Sequence, residues 1–157
     1  MRTSLVVALL IAVGCGTKQP DGAPSASGAT ATPDSAASSQ LPLVGTYWRI
    51  RTLDSLTVPV TTDTGPRAPH LQLTQSGDTV RYSATVGCNG IGGQATIVGD
   101  SITFGPGIST KMFCEALNAL EVQLHSVLTR TKRWSVTARA LELRDETNRA
   151  IASFEAR

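Results

Sequence analysis

The sequence is poor in the side chains that metal, nucleic-acid and nucleotide sites need. Its two histidines, His70 and His125, stand far apart without a cluster of carboxylates or cysteines, so no zinc site with three or four protein ligands is predicted. The formal net charge is only +2, and no basic run is longer than Lys132-Arg133, which argues against nucleic-acid binding through phosphate neutralisation. The glycine-rich stretch 90–93 lacks the lysine and following helix of a phosphate loop. No cofactor and no metal are predicted.

Long hydrophobic runs are also missing. The longest, Leu5–Val13, is too short to span a bilayer and follows Arg2, as in an export signal. Small residues lead from it to Cys15, and the pattern resembles a lipobox, which predicts a lipoprotein signal peptide over 1–15 with Cys15 as the lipidated N-terminus. The alternative is an ordinary signal peptide with a coincidental cysteine.

The segment 16–42 contains almost no large apolar side chains and is rich in Ala, Ser, Gly, Thr and Pro. Such a composition cannot offset the entropy of ordering, so we expect a flexible tether with a random-coil span of roughly 25–30 Å. The lipid anchor would attach the chain to a bacterial membrane with its domain in the periplasm. The absence of Asp directly after Cys15 favours the outer membrane by the sorting rule of enteric bacteria.

Only three cysteines are present. With Cys15 lipidated, Cys88 and Cys114 remain as an even pair in an exported chain, which favours a disulfide between them. The alternative is a Cys88 nucleophile activated by His125. That reading requires a thiolate and an oriented base, and the sequence shows nothing that would orient His125. No catalytic residue is therefore predicted.

The folded part, 43–157, has two kinds of periodicity. About eight segments alternate apolar and polar residues, as β-strands do, and turns at 75–78, 99–100 and 145–148 divide several of them into hairpins. Between the strands, apolar residues recur at three- and four-residue spacing, which predicts one helix of about 14 residues, capped by Ser109 or Thr110. These residues are Leu117, Leu120, Leu124, Val127 and Leu128. The predicted fold is α+β, a curved, barrel-like antiparallel sheet packed on one amphipathic helix.

Several side-chain placements follow from this layout. We expect a tight turn over 87–93, a solvated helix face for Glu121, and His70 at the surface. Aromatic residues make up only 4% of the chain. The large side chains are assigned to the core, and the alternative is that some of them line an apolar cavity. They are Trp48, Phe104, Met112, Phe113, Trp134 and Phe154.

Motifs in order along the chain resemble those of the META domain, or HslJ-like, family. They are an opening G-T-Y-W ending at Trp48, a GCN turn with a following glycine, a T-x-M-x-C segment and a closing L-x-L-x-D. The motif residues singled out are Trp48, Gly87, Asn89, Gly92, Thr110 and Met112. The resemblance implies an envelope protein with a curved sheet and one helix, no established catalytic residues, and a link to heat and antibiotic stress.

These observations predict a non-enzymatic, lipid-anchored envelope domain with a binding or stress-tolerance role. Its partners would be the membrane, through the anchor, and an envelope protein or an apolar ligand; a monomer is expected. The alternative is a carrier of lipid or acyl chains, or a chaperone of the secretin-pilotin type, with an apolar cavity. An enzyme using Cys88 or a carboxylate pair is the competing class.

Overall fold

The computed structural model describes residues 40–157. The predicted signal peptide, the lipidation site Cys15 and nearly all of the predicted tether lie outside these residues. The strands are β1 Tyr47–Leu53, β2 Leu56–Thr57, β3 His70–Ser76, β4 Thr79–Thr85, β5 Gly90–Val98, β6 Ser101–Ser109, β7 Arg133–Thr137, β8 Ala140–Arg144 and β9 Ala150–Ala156. A 3-10 turn, Glu115–Leu117, leads into helix α1, Asn118–Arg130. Over the described range, no helix is long and apolar enough to cross a membrane.

All strand pairs are antiparallel, and each strand from β3 to β8 pairs with the next along the chain. The first strand pairs with both β3 and β9, so eight strands form a nearly closed barrel and β2 is a short addition to β1. Alternation along the chain explains the strands, since Trp48 and Ile50 of β1 are buried and Tyr47, Arg49 and Arg51 are partly exposed. The predicted fold class is confirmed.

The weakest point of the barrel lies between β6 and β7, which share one residue pair, Ser101 with Arg133. Beyond that pair the two strands diverge, and α1 packs beside β6 there. The helix buries Leu124, Val127 and Leu128, so the predicted apolar stripe is confirmed for its C-terminal half.

The predicted helix cap is wrong. The residue before α1 is Leu117, which makes no side-chain cap hydrogen bond, and Ser109 belongs to β6. Thr110 is held elsewhere, because its hydroxyl donates to Asn89 Oδ1 at 2.9 Å. The Thr110 hydroxyl, predicted to cap the helix, is thus bonded to a residue 21 positions earlier in the chain.

Side chains fill the barrel interior. Trp48 is completely buried, and its indole Nε1 donates to the Leu43 carbonyl at 3.0 Å, which places the start of the folded chain against the core. Leu71 and Leu141 are also fully buried. The N-terminal segment continues along β3, since the Gly45 amide donates to the Leu73 carbonyl at 2.8 Å.

The glycine-rich stretch is a strand rather than a turn from Gly90 onward, so the predicted turn over 87–93 is wrong for its second half. Gly93 pairs with Gly107 of β6 next to a register shift. A Cβ on Gly93 would lie 2.9 Å from Tyr82 Cε1 and 2.7 Å from the Pro106 carbonyl oxygen. The ring of Tyr82 occupies the space that side chains would need, which explains small residues on both strands.

Candidate functional site

The disulfide joins Cys88, just after β4, to Cys114, just before the 3-10 turn, with 6.2 Å between the two Cα atoms. It confirms the predicted pairing. A sulfur in a disulfide is not available as a thiolate nucleophile. His125 stands exposed on α1, and no hydrogen bond in the described part of the chain links it to Cys88. The Cys88–His125 nucleophile therefore receives no support from the geometry.

Asn89, the residue after Cys88, connects three segments of the chain. Its side-chain amide donates to the Met112 carbonyl at 2.8 Å and to Glu121 Oε2 at 2.9 Å. Its Oδ1 accepts from the Thr110 hydroxyl at 2.9 Å and from the Met112 amide at 2.8 Å. An asparagine side chain has two donors and one oxygen with two lone pairs, so its hydrogen-bonding capacity is filled.

Glu121 completes this arrangement from the helix. Its Oε1 accepts the backbone amide of Asn89 at 2.7 Å while Oε2 accepts the side-chain amide. The expectation of a solvated helix face for Glu121 is wrong, because the residue lies half-buried against the Asn89 turn. Helix periodicity alone could not identify this partner, which is 32 positions earlier in the sequence.

The remaining motif residues other than Trp48 lie at or next to the same turn. Gly87 has φ +121°, a conformation that side chains rarely adopt, and a Cβ there would lie 3.3 Å from Leu117 Cδ1. A Cβ on Gly92 would lie 3.2 Å from the Tyr82 carbonyl oxygen. Thr110 and Met112 are held through Asn89, whereas Trp48 lies in the core at a distance from this turn.

An open groove of about 520 Å³ lies between segment 109–113 and the N-terminal half of α1. Its lining includes Met112, Phe113 and Val122, which are 47%, 82% and 62% exposed. The assignment of Met112 and Phe113 to the core is therefore wrong. The disulfide and the Asn89 hydrogen bonds hold this segment with its apolar side chains turned outward.

The groove adjoins a narrower slot of about 300 Å³, and both are lined by His125. The slot separates residues 105–107 of β6 from the C-terminal half of α1, and Phe104 and Leu128 line it. We call the groove and the slot together the seam, since they follow the line where β6 and α1 meet.

A second depression, on the outer face of β1, β3 and β4, is lined by Tyr47 and His70. The two rings stack with centroids 4.7 Å apart, and burial raises the pKa of Tyr47 although Arg157 and Arg49 oppose the shift. His70 is 8% exposed and its Nδ1 lies 2.7 Å from the Ala68 carbonyl, so the expected surface position is wrong.

Two carboxylates, Asp54 and Asp145, fix parts of the scaffold through ionic contacts. Asp54, after β1, accepts hydrogen bonds from Gln123 and Arg130 of α1, which ties the helix to the barrel.

Asp145 closes the β8–β9 turn. Hydrogen bonds from the Thr147 hydroxyl, and then from the Arg149 backbone and side chain, lower the pKa of Asp145 to about 2. Across residues 40–157, no three His, Cys, Asp or Glu side chains are grouped as metal ligands.

Comparison with known proteins agrees with this fold. The family model of the META domain matches residues 41–157. The chain belongs to the META domain family. This family is not a known enzyme family, and the Asn89 turn and Cys114 segment of this META domain carry the motifs that the sequence resemblance had indicated.

Two solved structures, both determined by NMR, resemble this META domain. One is a protein from Burkholderia xenovorans, with 22% identity, a TM-score of 0.57, and coverage of 90% of this chain and 98% of that one. The other has 21% identity, a TM-score of 0.54, and coverage of 72% and 90%. At this identity the likeness shows the fold. No curated protein matches the chain.

Proposed function

We propose that this META domain is a non-enzymatic binding domain of the bacterial envelope, anchored through lipid on Cys15, and that the groove beside α1 is its binding surface. The observation that carries the proposal is the outward apolar wall of the groove. Phe113 and Val122 expose most of their side chains to solvent while the core nearby is fully packed. Contiguous exposed apolar surface of this kind marks interaction sites in soluble domains.

The wall of the groove is preorganised. Met112 is bonded through both its amide and its carbonyl to Asn89, and the disulfide fixes Cys114 two residues later. A wall that is already ordered loses little conformational entropy when a ligand binds, so more of the contact energy appears as affinity. The motif residues Asn89 and Met112 thus have a structural part in the proposed binding surface, since they hold its wall in place.

The alternative, an acyl chain held inside the barrel, is less favoured. The interior positions are occupied by packed side chains, including Trp48, Ile50 and Leu53, all at most 2% exposed. An apolar ligand would instead find space in the seam. A role in envelope stress tolerance is the use that we propose for such binding, on the strength of the family resemblance.

Binding at the groove is tested with anilinonaphthalene sulfonate, a fluorescent apolar probe, on the soluble domain without lipid. We expect Phe113→Ser and Val122→Ser each to weaken probe binding several-fold. Val98→Ser is the matched control, since Val98 is 72% exposed but lies at the β5–β6 turn. Equal probe binding by all variants would contradict a binding groove.

The anchor is tested by the intact mass of protein purified from bacterial membranes. A diacylglyceryl or triacyl addition on Cys15, with no alkylatable thiol before reduction, is the expected result. An unmodified Cys15, or a Cys88 that reacts freely, would reopen the enzyme hypothesis.

A further inference from the structure

In the part of the chain that the structure describes, no strand pairs with most of the edge of β6 that faces away from β5. This strand shares only the Ser101–Arg133 pair with β7, whereas its pairing with β5 extends to Ser109. An unpaired strand edge offers a row of main-chain donors and acceptors to another extended chain. We propose, building on the proposed function, that an extended polypeptide segment from a partner protein adds to this edge as a strand along the seam.

The register identifies the groups on the free edge. The Thr110 amide donates to the Gly90 carbonyl at 3.1 Å and the Gly90 amide donates to the Thr110 hydroxyl at 3.2 Å, so the two residues face each other in the position of a hydrogen-bonded pair. In antiparallel pairing, hydrogen-bonded pairs alternate with non-bonded ones, so Ile108 faces Gly92 in the next bonded pair. The amides and carbonyls of Gly107 and Ser109 therefore point away from β5, toward the free edge.

These main-chain groups are accessible. Gly107 is exposed, and because glycine has no side chain the exposed surface is backbone. The slot beside residues 105–107 leaves open space between this backbone and α1. Ile108 is 88% exposed on the outer face of the same strand, where an added strand would cover it.

The surroundings specify the chemistry of the added segment. Side chains of a strand alternate between faces, so every second residue would enter the slot, where Phe104 and Leu128 offer apolar contacts, and the others would lie beside Ile108. Lys111 lines the groove, and Arg81 lies with Ile108 in a depression on the outer face. The carboxylate in the groove, Glu121, is already bonded to Asn89. The charges complement a segment with apolar residues and acidic flanks.

The proposed occupant comes from another protein, because the apolar run 5–13 belongs to the predicted signal peptide. The segment 16–39 contains no large apolar side chain that would fill the slot. Strand addition is a recurrent mode of peptide recognition, in which main-chain hydrogen bonds supply affinity and pockets for alternate side chains supply specificity.

The test uses a short blocked peptide in which valine and threonine alternate and glutamates flank both ends. Its binding is followed by the amide NMR signals of Gly105 and of residues 107–110, since Pro106 has no amide hydrogen. The first comparison is the same peptide N-methylated at alternate amides, which removes its main-chain donors on one edge. The second comparison is a version with lysine flanks. We expect the unmodified acidic peptide to bind best and N-methylation to weaken binding at least about tenfold.

A pair of variants tests the edge itself. Ser109→Pro removes the outward amide, which is not part of the β5 ladder, while Ser109→Ala keeps that amide and removes only the hydroxyl. We expect Ser109→Ala to bind the peptide as the unmodified domain does and Ser109→Pro to lose at least about tenfold in affinity. If Ser109→Pro unfolds, the N-methylated peptide decides the question with the unmodified domain.

The outcomes separate the two proposals. Equal affinity for the methylated and unmethylated peptides, or no binding of either, overturns strand addition. If the fluorescent probe still requires Phe113 and Val122 in that case, the groove binds apolar ligands in another way and the proposed function stands. If the probe is insensitive to those residues, the proposed function fails as well.

Discussion

Replacing Asn89 should destabilise the domain far more than its half-exposed position suggests. Asn89→Ala removes four side-chain hydrogen bonds that join the turn after β4 to segment 110–112 and to Glu121. Each such bond contributes roughly 0.5–1.5 kcal/mol net, and solvent can replace part of the loss. We expect the free energy of unfolding to fall by about 2–4 kcal/mol, which corresponds to a lower melting temperature by roughly 8–15 °C for a domain of this size.

Asn89→Asp is a more specific test, because it removes the side-chain donor while the volume of the side chain stays nearly the same. The side-chain donor becomes an oxygen that faces the Met112 carbonyl and the Glu121 carboxylate, so we expect at least as large a loss as with alanine. Glu121→Gln in the same chain restores a donor between the two side chains. The double variant should therefore be more stable than Asn89→Asp alone, by about 1–2 kcal/mol.

The assay is urea unfolding with the disulfide intact, followed by circular dichroism. Asn118→Ala is the matched control, since Asn118 is an exposed groove residue and should change stability by less than about 0.5 kcal/mol. A loss of less than about 1 kcal/mol for Asn89→Ala, or no recovery in the double variant, would refute the reasoning.

Three further predictions concern the scaffold. The double variant Cys88→Ser, Cys114→Ser should have a free energy of unfolding lower by about 3.5 kcal/mol, from the chain-entropy model and the 26-residue separation of the two cysteines. An unchanged melting temperature of this variant under oxidising conditions would contradict a stabilising disulfide. Gly93→Ala should lower the free energy of unfolding by about 1–3 kcal/mol, because the added Cβ would clash with the Pro106 carbonyl oxygen. Gly99→Ala is the control, since a Cβ there has no neighbour within 4 Å and only its positive φ opposes the substitution. The lowered pKa of Asp145 contributes stability that is present above about pH 4 and is lost as the pH falls toward 2. The free energy of unfolding of Asp145→Asn should therefore depend less on pH between about pH 4 and about pH 2 than that of the unmodified domain.

Much of the fold was predictable because its signals are local. Alternation along β1 and the three- and four-residue spacing of α1 each depend on neighbours within a few positions. The pairing of Cys88 with Cys114 followed from the small number of cysteines in an exported chain. The glycines of 90–93 led to the wrong prediction of a turn, because at Gly93 a side chain is excluded by the ring of Tyr82 on another strand and by the Pro106 carbonyl.

The candidate site was much less predictable. Met112 and Phe113 are apolar, so composition assigned them to the core, and their outward position appears only once segment 109–113 is tied down. Glu121 has no local signal for its bonds to Asn89. Both errors concern contacts between segments whose relative position depends on how the barrel closes.

The sequence by itself determined the antiparallel strands, the single helix, the disulfide and the family, since these depend on local patterns and on residues present in small number. Only the tertiary structure decided that β6 and β7 part after one residue pair and that α1 packs beside the resulting edge. Only the tertiary structure, likewise, placed the Phe113 side chain in solvent and the Glu121 carboxylate next to Asn89. The physical reason is that register and barrel closure are set by the sum of many long-range contacts, which no short stretch of sequence encodes.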